Sequence, residues 1–166
     1  MQIAMDACSA ILLSKASSID IFTKKHNIVI TTLAYDEIIK GKEKKFDDAL
    51  LIEKLFNERA FRKVEIKNKE LFRKFQYDFG LGDGESSTIV FAIENKIAVL
   101  TDNKQARKAS KIYGLKLIGS PEIVVSLFKA KAVNKDKAFY ALEKLRKAGW
   151  FQDYIIEMAM EEIKNG

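Results

Sequence analysis

The strongest constraint on the fold is a set of short apolar runs, most of which do not alternate apolar with polar residues. QIAM (2–5), NIVI (27–30), IAVL (97–100) and LKLI (115–118) have strand length, and KVEI (63–66) is a weaker fifth. Such runs suit strands buried on both faces of a parallel sheet. Stretches of helical periodicity separate them: roughly 8–24, 32–59 with a break near Gly41, 68–79, 84–96 and 103–113. Strands alternating with helices predict an α/β fold with a parallel sheet of about five strands. Beyond Ser120 the pattern is helical only, near 121–130, 135–147 and 151–164. Gly149 suits a stop between the last two, and Pro121 suits a first helical turn.

A chain of 166 residues, 48% of them hydrophobic, can bury one sizeable core. The expectation is a single domain over 1–166 with a helical extension from about 132. The apolar runs are far too short to span a bilayer, so no membrane partner is expected. The first residues show no secretory signal pattern. Cys8 is the only cysteine, which excludes an internal disulfide and fits a reducing cytoplasm. The single histidine, His26, excludes a His-rich zinc site and reads as a surface residue.

The acids are placed more tellingly than they are numerous. Asp6 follows the first apolar run and Asp102 the fourth. Function in an open parallel sheet concentrates at the carboxyl ends of strands, above all where strand order reverses. Each aspartate could equally cap the helix after it. Glu85 lies one turn before Ile89, on the apolar stripe of its helix, and Glu37 lies one turn beyond Leu33. Asp83 reads as a helix cap, and Asp36 faces solvent. Carboxylates brought within a few ångströms of one another cannot all stay ionised without a cation. Oxygen donors suit Mg²⁺ or Mn²⁺, the usual apparatus of phosphodiester hydrolysis.

The formal charge of +6 makes an anionic partner plausible. Lys104, Arg107, Lys108 and Lys111 follow Asp102 at helical spacing, forming one basic stripe beside the proposed site. A phosphate backbone would be drawn to it, although an ordinary solvated face has the same pattern. The stretch KGKEKK (40–45) is a second basic candidate. Trp150 and Phe151 are expected to anchor the last helix on the core. A stripe through Tyr154, Ile155, Met158 and Glu162 is expected to pack internally, with a homodimer surface as the alternative.

The segments MDACSAILLSKA, LAYDEII, GDGESSTIVFAIENKIAVLTDNKQARKA and GLKLIGSPEIVVSLFKAKAV together resemble a prokaryotic PIN-domain protein, over nearly the whole chain. The tail LEKLRKAGWFQDYIIEMAMEEI is similar to the helical tail of one branch. The resemblance implies a three-layer α/β/α sandwich with strand order 3-2-1-4-5 and extra C-terminal helices. It implies a Mg²⁺- or Mn²⁺-dependent ribonuclease whose metal and catalytic residues are Asp6, Glu37, Glu85 and Asp102. Cys8, Ser9, Asp83 and Asn103 would support them. Cys8 stands where a serine, threonine or asparagine is common, and Asn103 where branch members carry a second aspartate. Many relatives are toxins of toxin–antitoxin pairs, so an antitoxin is an expected partner beside RNA.

Two other classes remain in view. A phospho-acceptor receiver module also carries acids above a parallel sheet, but VEIKNKE offers no acceptor aspartate and LIGSPE no lysine. A catalytically weak PIN-like module that binds RNA or protein is the closer alternative, and the residues at Cys8 and Asn103 leave it open.

Overall fold

A computed structural model describes residues 1–40 and 47–166. The expected helix break near Gly41 and nearly all of KGKEKK lie outside the described residues. One parallel sheet contains β1 (Gln2–Met5), β2 (Asn27–Thr31), β3 (Phe61–Val64), β4 (Ala98–Leu100) and β5 (Leu117–Ile118). Its order is β3-β2-β1-β4-β5, as the resemblance implies. Receiver modules use the order 2-1-3-4-5, so that rival falls. β3 starts slightly upstream of the expected KVEI run.

Ten helices accompany the sheet among the described residues: α1 (Ala7–Lys15), α2 (Ile19–Lys25), α3 (Thr32–Lys40), α4 (Asp47–Asn57), α5 (Lys69–Phe79), α6 (Asp83–Asn95), α7 (Lys104–Ile112), α8 (Ser120–Lys129), α9 (Lys135–Ala148) and α10 (Asp153–Asn165). Period-two side-chain alternation sorts them into layers. Ile3, Met5, Ile28, Ile30 and Leu100 pack one face against residues of α1–α4 and α8. Ala4, Val29 and Val99 point to the other face, against Ala92 of α6. Phe75, Ile89 and Ala106 join α5, α6 and α7 into the outer part of that layer. No described helix is long and apolar enough to cross a membrane.

The expected helix over 8–24 is in fact two. The chain turns at Ser17, which adopts a left-handed φ of 53°. The Ser17 and Ser18 amides bond back to the carbonyls of Ser14 and Leu13. The Ser14 and Ser18 hydroxyls bond nearby carbonyls. Serines offer the backbone such local alternatives to a continuing helix, and a run of them ends α1 without glycine or proline.

The last two helices pack on α8 and α1 through Leu12, Val124, Leu142, Leu145, Ile156 and Ile163. This corrects the expected inner stripe of α10. Ile156, Ala159 and Ile163 face inward, whereas Tyr154 and Met158 are exposed. Phe151 joins the buried cluster as expected, but Trp150 is fully exposed.

Candidate active site

The order of the sheet puts its switch point between β1 and β4. Ile3, Ala4 and Met5 pair with Ala98, Val99 and Leu100, so the two strands end level with each other. Asp6 comes next after β1, and its amide donates to the Leu100 carbonyl at 3.2 Å. Thr101 intervenes before Asp102.

Asp6 caps α1: its Oδ1 accepts the Ser9 amide at 2.7 Å. The side chain is buried, and Oδ2 has no hydrogen-bond partner by strict geometry. Burial pushes its pKa up to about 7, with the Asp102 charge adding to the rise. The nearby Thr101 hydroxyl and Ser9 oppose part of it.

Asp102 takes a different role from the capping that its position suggested. Asn103 caps α7, accepting the Ala106 amide at 2.9 Å. That frees Asp102 to reach sideways. Its Oδ2 accepts the Ser9 hydroxyl at 2.8 Å and also the Ser120 hydroxyl. Its Oδ1 accepts the Ser120 amide at 2.8 Å, at the start of α8. Ser9 therefore holds both aspartates, one through its amide and the other through its hydroxyl.

Glu37 and Glu85 meet over the first turn of α6. Glu37 is exposed, and its Oε1 accepts the Gly84 amide at 2.8 Å. A β-carbon on Gly84 would collide with the Glu37 carboxylate, so the contact depends on glycine there. Partial burial of the carboxyl raises its pKa, and the Glu85 and Asp83 charges add to this against the Gly84 hydrogen bond. The Glu85 Oε2 accepts the Gly82 amide at 3.1 Å, which is half of a capping box, since Gly82 has no side chain to complete it. Gly82 is thus the cap of α6, a place expected for Asp83. Asp83 is exposed and instead accepts Gln76 Nε2 at 2.6 Å.

Cys8 links the two pairs. It is exposed as a residue, yet desolvation of the thiol, followed by the charges of Asp6, Asp102 and Glu85, pushes its pKa up to about 12. With no cation bound, the sulfur stays protonated at neutral pH and is not a ready nucleophile. Among the described residues, no three His, Cys, Asp or Glu side chains stand close enough to form a preformed ion cage. The four acids are brought to one edge as two pairs.

Lys104, Lys108 and Lys111 are exposed on α7. Arg107 departs from the expected stripe: its guanidinium donates to the Thr101 carbonyl at 3.0 Å and lies 3.7 Å from Glu122. It ties the segment just before Asp102 to the first turn of α8. Ser120 escaped the sequence reading. Its only signal was a serine before Pro121 at a helix start, and nothing marked that helix as a neighbour of Asp102. His26, half-buried, packs its ring 5.2 Å from that of Phe22, and burial lowers its pKa.

The open parallel sheet thus carries two pairs of acids near its switch point. The family model DUF3368, described as a PIN domain, matches residues 2–165. The chain belongs to the PIN-domain family, whose members are generally nucleases and typically use divalent metal ions. Comparisons with curated proteins and with solved structures gave no match.

Proposed function

We infer that the protein is a ribonuclease that hydrolyses phosphodiester bonds of single-stranded RNA with the help of Mg²⁺ or Mn²⁺. The observation that carries this reading is the Asp6–Asp102 pair. A buried carboxylate with an unpartnered oxygen stands beside a second carboxylate, at the switch point of the sheet. A hard cation would relieve both the repulsion and the orphaned oxygen, and the surrounding oxygen donors fit Mg²⁺ or Mn²⁺ better than zinc or copper. Asp6 and Asp102 would hold it, with Glu85 next in reach and Glu37 available once released from Gly84. Such an ion supplies charge neutralisation at the phosphate and acidifies water for attack.

The chain's own residues do the positioning. Ser9 and Ser120 orient Asp102, Ser9 orients Asp6, and the lysines of α7 attract the RNA backbone. The lone histidine offers no acid–base pair for attack by the ribose 2′-hydroxyl. Water attack leaves a 5′-phosphate and a 3′-hydroxyl. Labelled single-stranded RNA incubated with Mn²⁺ should show those ends. Cleavage that survives excess chelator, or products ending in 2′,3′-cyclic phosphate, would overturn the mechanism.

The separation of the acids into two pairs favours one second reading, a weakly catalytic RNA- or protein-binding module. RNA binding without cleavage at any Mn²⁺ concentration would select it. A cytoplasmic toxin paired with an antitoxin protein extends the nuclease reading. Induced expression should then arrest growth with the wild type and not with Asp6→Asn.

A further inference from the structure

Asp102 and the α7 lysines form one wall of a groove of about 1190 Å³. The opposite wall comes from the α9–α10 junction and α10, with Trp150, Tyr154 and Met158. The groove exceeds the roughly 300–1,000 Å³ of ordinary small-molecule sites. Its size suits a length of polymer.

The aromatic wall follows from the local chain. α9 ends at Gly149, whose amide bonds to Leu145. The Phe151 ring lies so close over Gly149 that a β-carbon there would strike it. Phe151 is therefore turned into the cluster around Leu145 and Ile156. Its neighbour Trp150 faces out and is wholly exposed, while Tyr154, in the first turn of α10, is 56% exposed. A fully solvated indole contributes nothing to the core, which makes it a more informative exposure than a scattered leucine.

Charge decides the occupant. Lys104, Lys108 and Lys111 form no ion pair among the described residues, whereas the acids on the groove's rim are engaged. Glu122 faces Arg107, and Glu162 is bonded to Lys129. One wall thus offers free cations and the other flat π faces. Single-stranded nucleic-acid sites combine these two elements, a cationic track for the backbone and aromatic platforms for the bases.

We propose that Trp150 and Tyr154 form a base-stacking platform that holds unpaired RNA in this groove, with its backbone on the α7 lysines and its course leading to Asp102. The platform rests on the RNA reading above and adds to it the selection of single strands. Bases must be unpaired and splayed out to stack on side chains, so a duplex with the same charge gains only the lysine contacts.

Trp150 is the only tryptophan, so its fluorescence reports this wall alone. The intact protein is titrated in chelator with oligoadenylate of about ten nucleotides, within the usual span of such sites. Quenching should track binding. The same sequence in a duplex should quench little, and heparin, a polyanion without bases, should bind without stacking. Anisotropy of end-labelled oligoadenylate reads affinity in the variants, which lack the fluorophore: Trp150→Ala should weaken binding about tenfold, in line with the loss of one stacked base. Trp150→Phe should keep most of the affinity, and heparin binding should be unchanged in both. Unquenched emission of the wild type, together with undiminished affinity of Trp150→Ala for the labelled strand, would overturn the platform. So would an emission shift driven by protein concentration alone, which would assign the wall to a second copy. Mn²⁺-dependent cleavage is scored separately: a protein that quenches but never cleaves loses the nuclease reading and keeps the platform.

Discussion

The Asp6 and Asp102 side chains are held by groups from two elements, α1 and α8, whereas Glu37 and Glu85 are held by backbone amides from one helical turn. The aspartate pair is drawn into the protein. Asp6 is buried, and Asp102 accepts three hydrogen bonds from Ser9 and Ser120. The glutamates accept one backbone bond each, from Gly84 and Gly82. The difference teaches that the aspartates are held in place by the fold itself, while the glutamates are long side chains parked on a helix end. Fixed, repelling charges bind a cation at little reorganisation cost, and mobile ones complete its shell.

The largest test of this contrast is catalytic. Asp6→Asn should lower Mn²⁺-dependent RNA cleavage more than about 100-fold, beyond the effect of losing an outer-shell partner. Glu37→Gln should cost about tenfold or less on the same scale. Equal losses in initial rate would erase the distinction and make the four acids one rigid site.

The contrast should also appear as pH-dependent stability without metal. The pKa of Asp6 is raised from 3.8 to about 7, so the folded state holds its proton longer than the unfolded one. Stability should therefore fall as pH rises from about 4 to 7, by at most roughly 4 kcal/mol at 1.36 kcal/mol per unit. Asn at position 6 can still cap α1. Asp6→Asn should flatten this decline and be the more stable protein above pH 7. Urea melts in chelator at several pH values measure it, and an unchanged slope would place the orphaned oxygen in contact with water.

Truncation should separate the pairs next. Asp102→Ala leaves the Ser9 and Ser120 hydroxyls without their acceptor and should cost about 3 kcal/mol. Glu85→Ala removes half a capping box and should cost about 1 kcal/mol. Comparable losses in thermal or urea midpoints would contradict the difference in anchoring.

The smallest effect belongs to the surface. Lys104→Ala with Lys108→Ala should flatten the slope of log affinity for single-stranded RNA against log salt, by roughly 0.7 for each phosphate no longer neutralised. Metal affinity should be almost unaffected. An unchanged slope would return the stripe to an ordinary solvated face.

The sheet was legible because buried parallel strands write themselves as apolar runs, and the acids that follow them were visible for the same reason. What the sequence hid depended on neighbours far along the chain. Asn103 reads as a departure from the family pattern until its bond to Ala106 shows that it relieves Asp102 of capping. Arg107 reads as one of four equivalent cations until Thr101 and Glu122 claim it. Trp150 and Phe151 are adjacent and similarly apolar, yet only the space over Gly149 decides which turns inward. The break at Ser17 was missed because serine only permits a left-handed turn, whereas glycine would have announced one.

The wide sequence separation in the Ser9–Asp102 contact has a consequence for synthesis. The two residues are 93 positions apart, and β1, which Asp6 follows, waits in the middle of the sheet for β4 to arrive beside it. Chain growth runs from the N-terminus, and such distant pairings are slow to form. A nascent chain displays Asp6 early, but it lacks Asp102 and then Ser120 until those later segments have been made. The fold's own connectivity delays assembly of the candidate site until the later helices emerge.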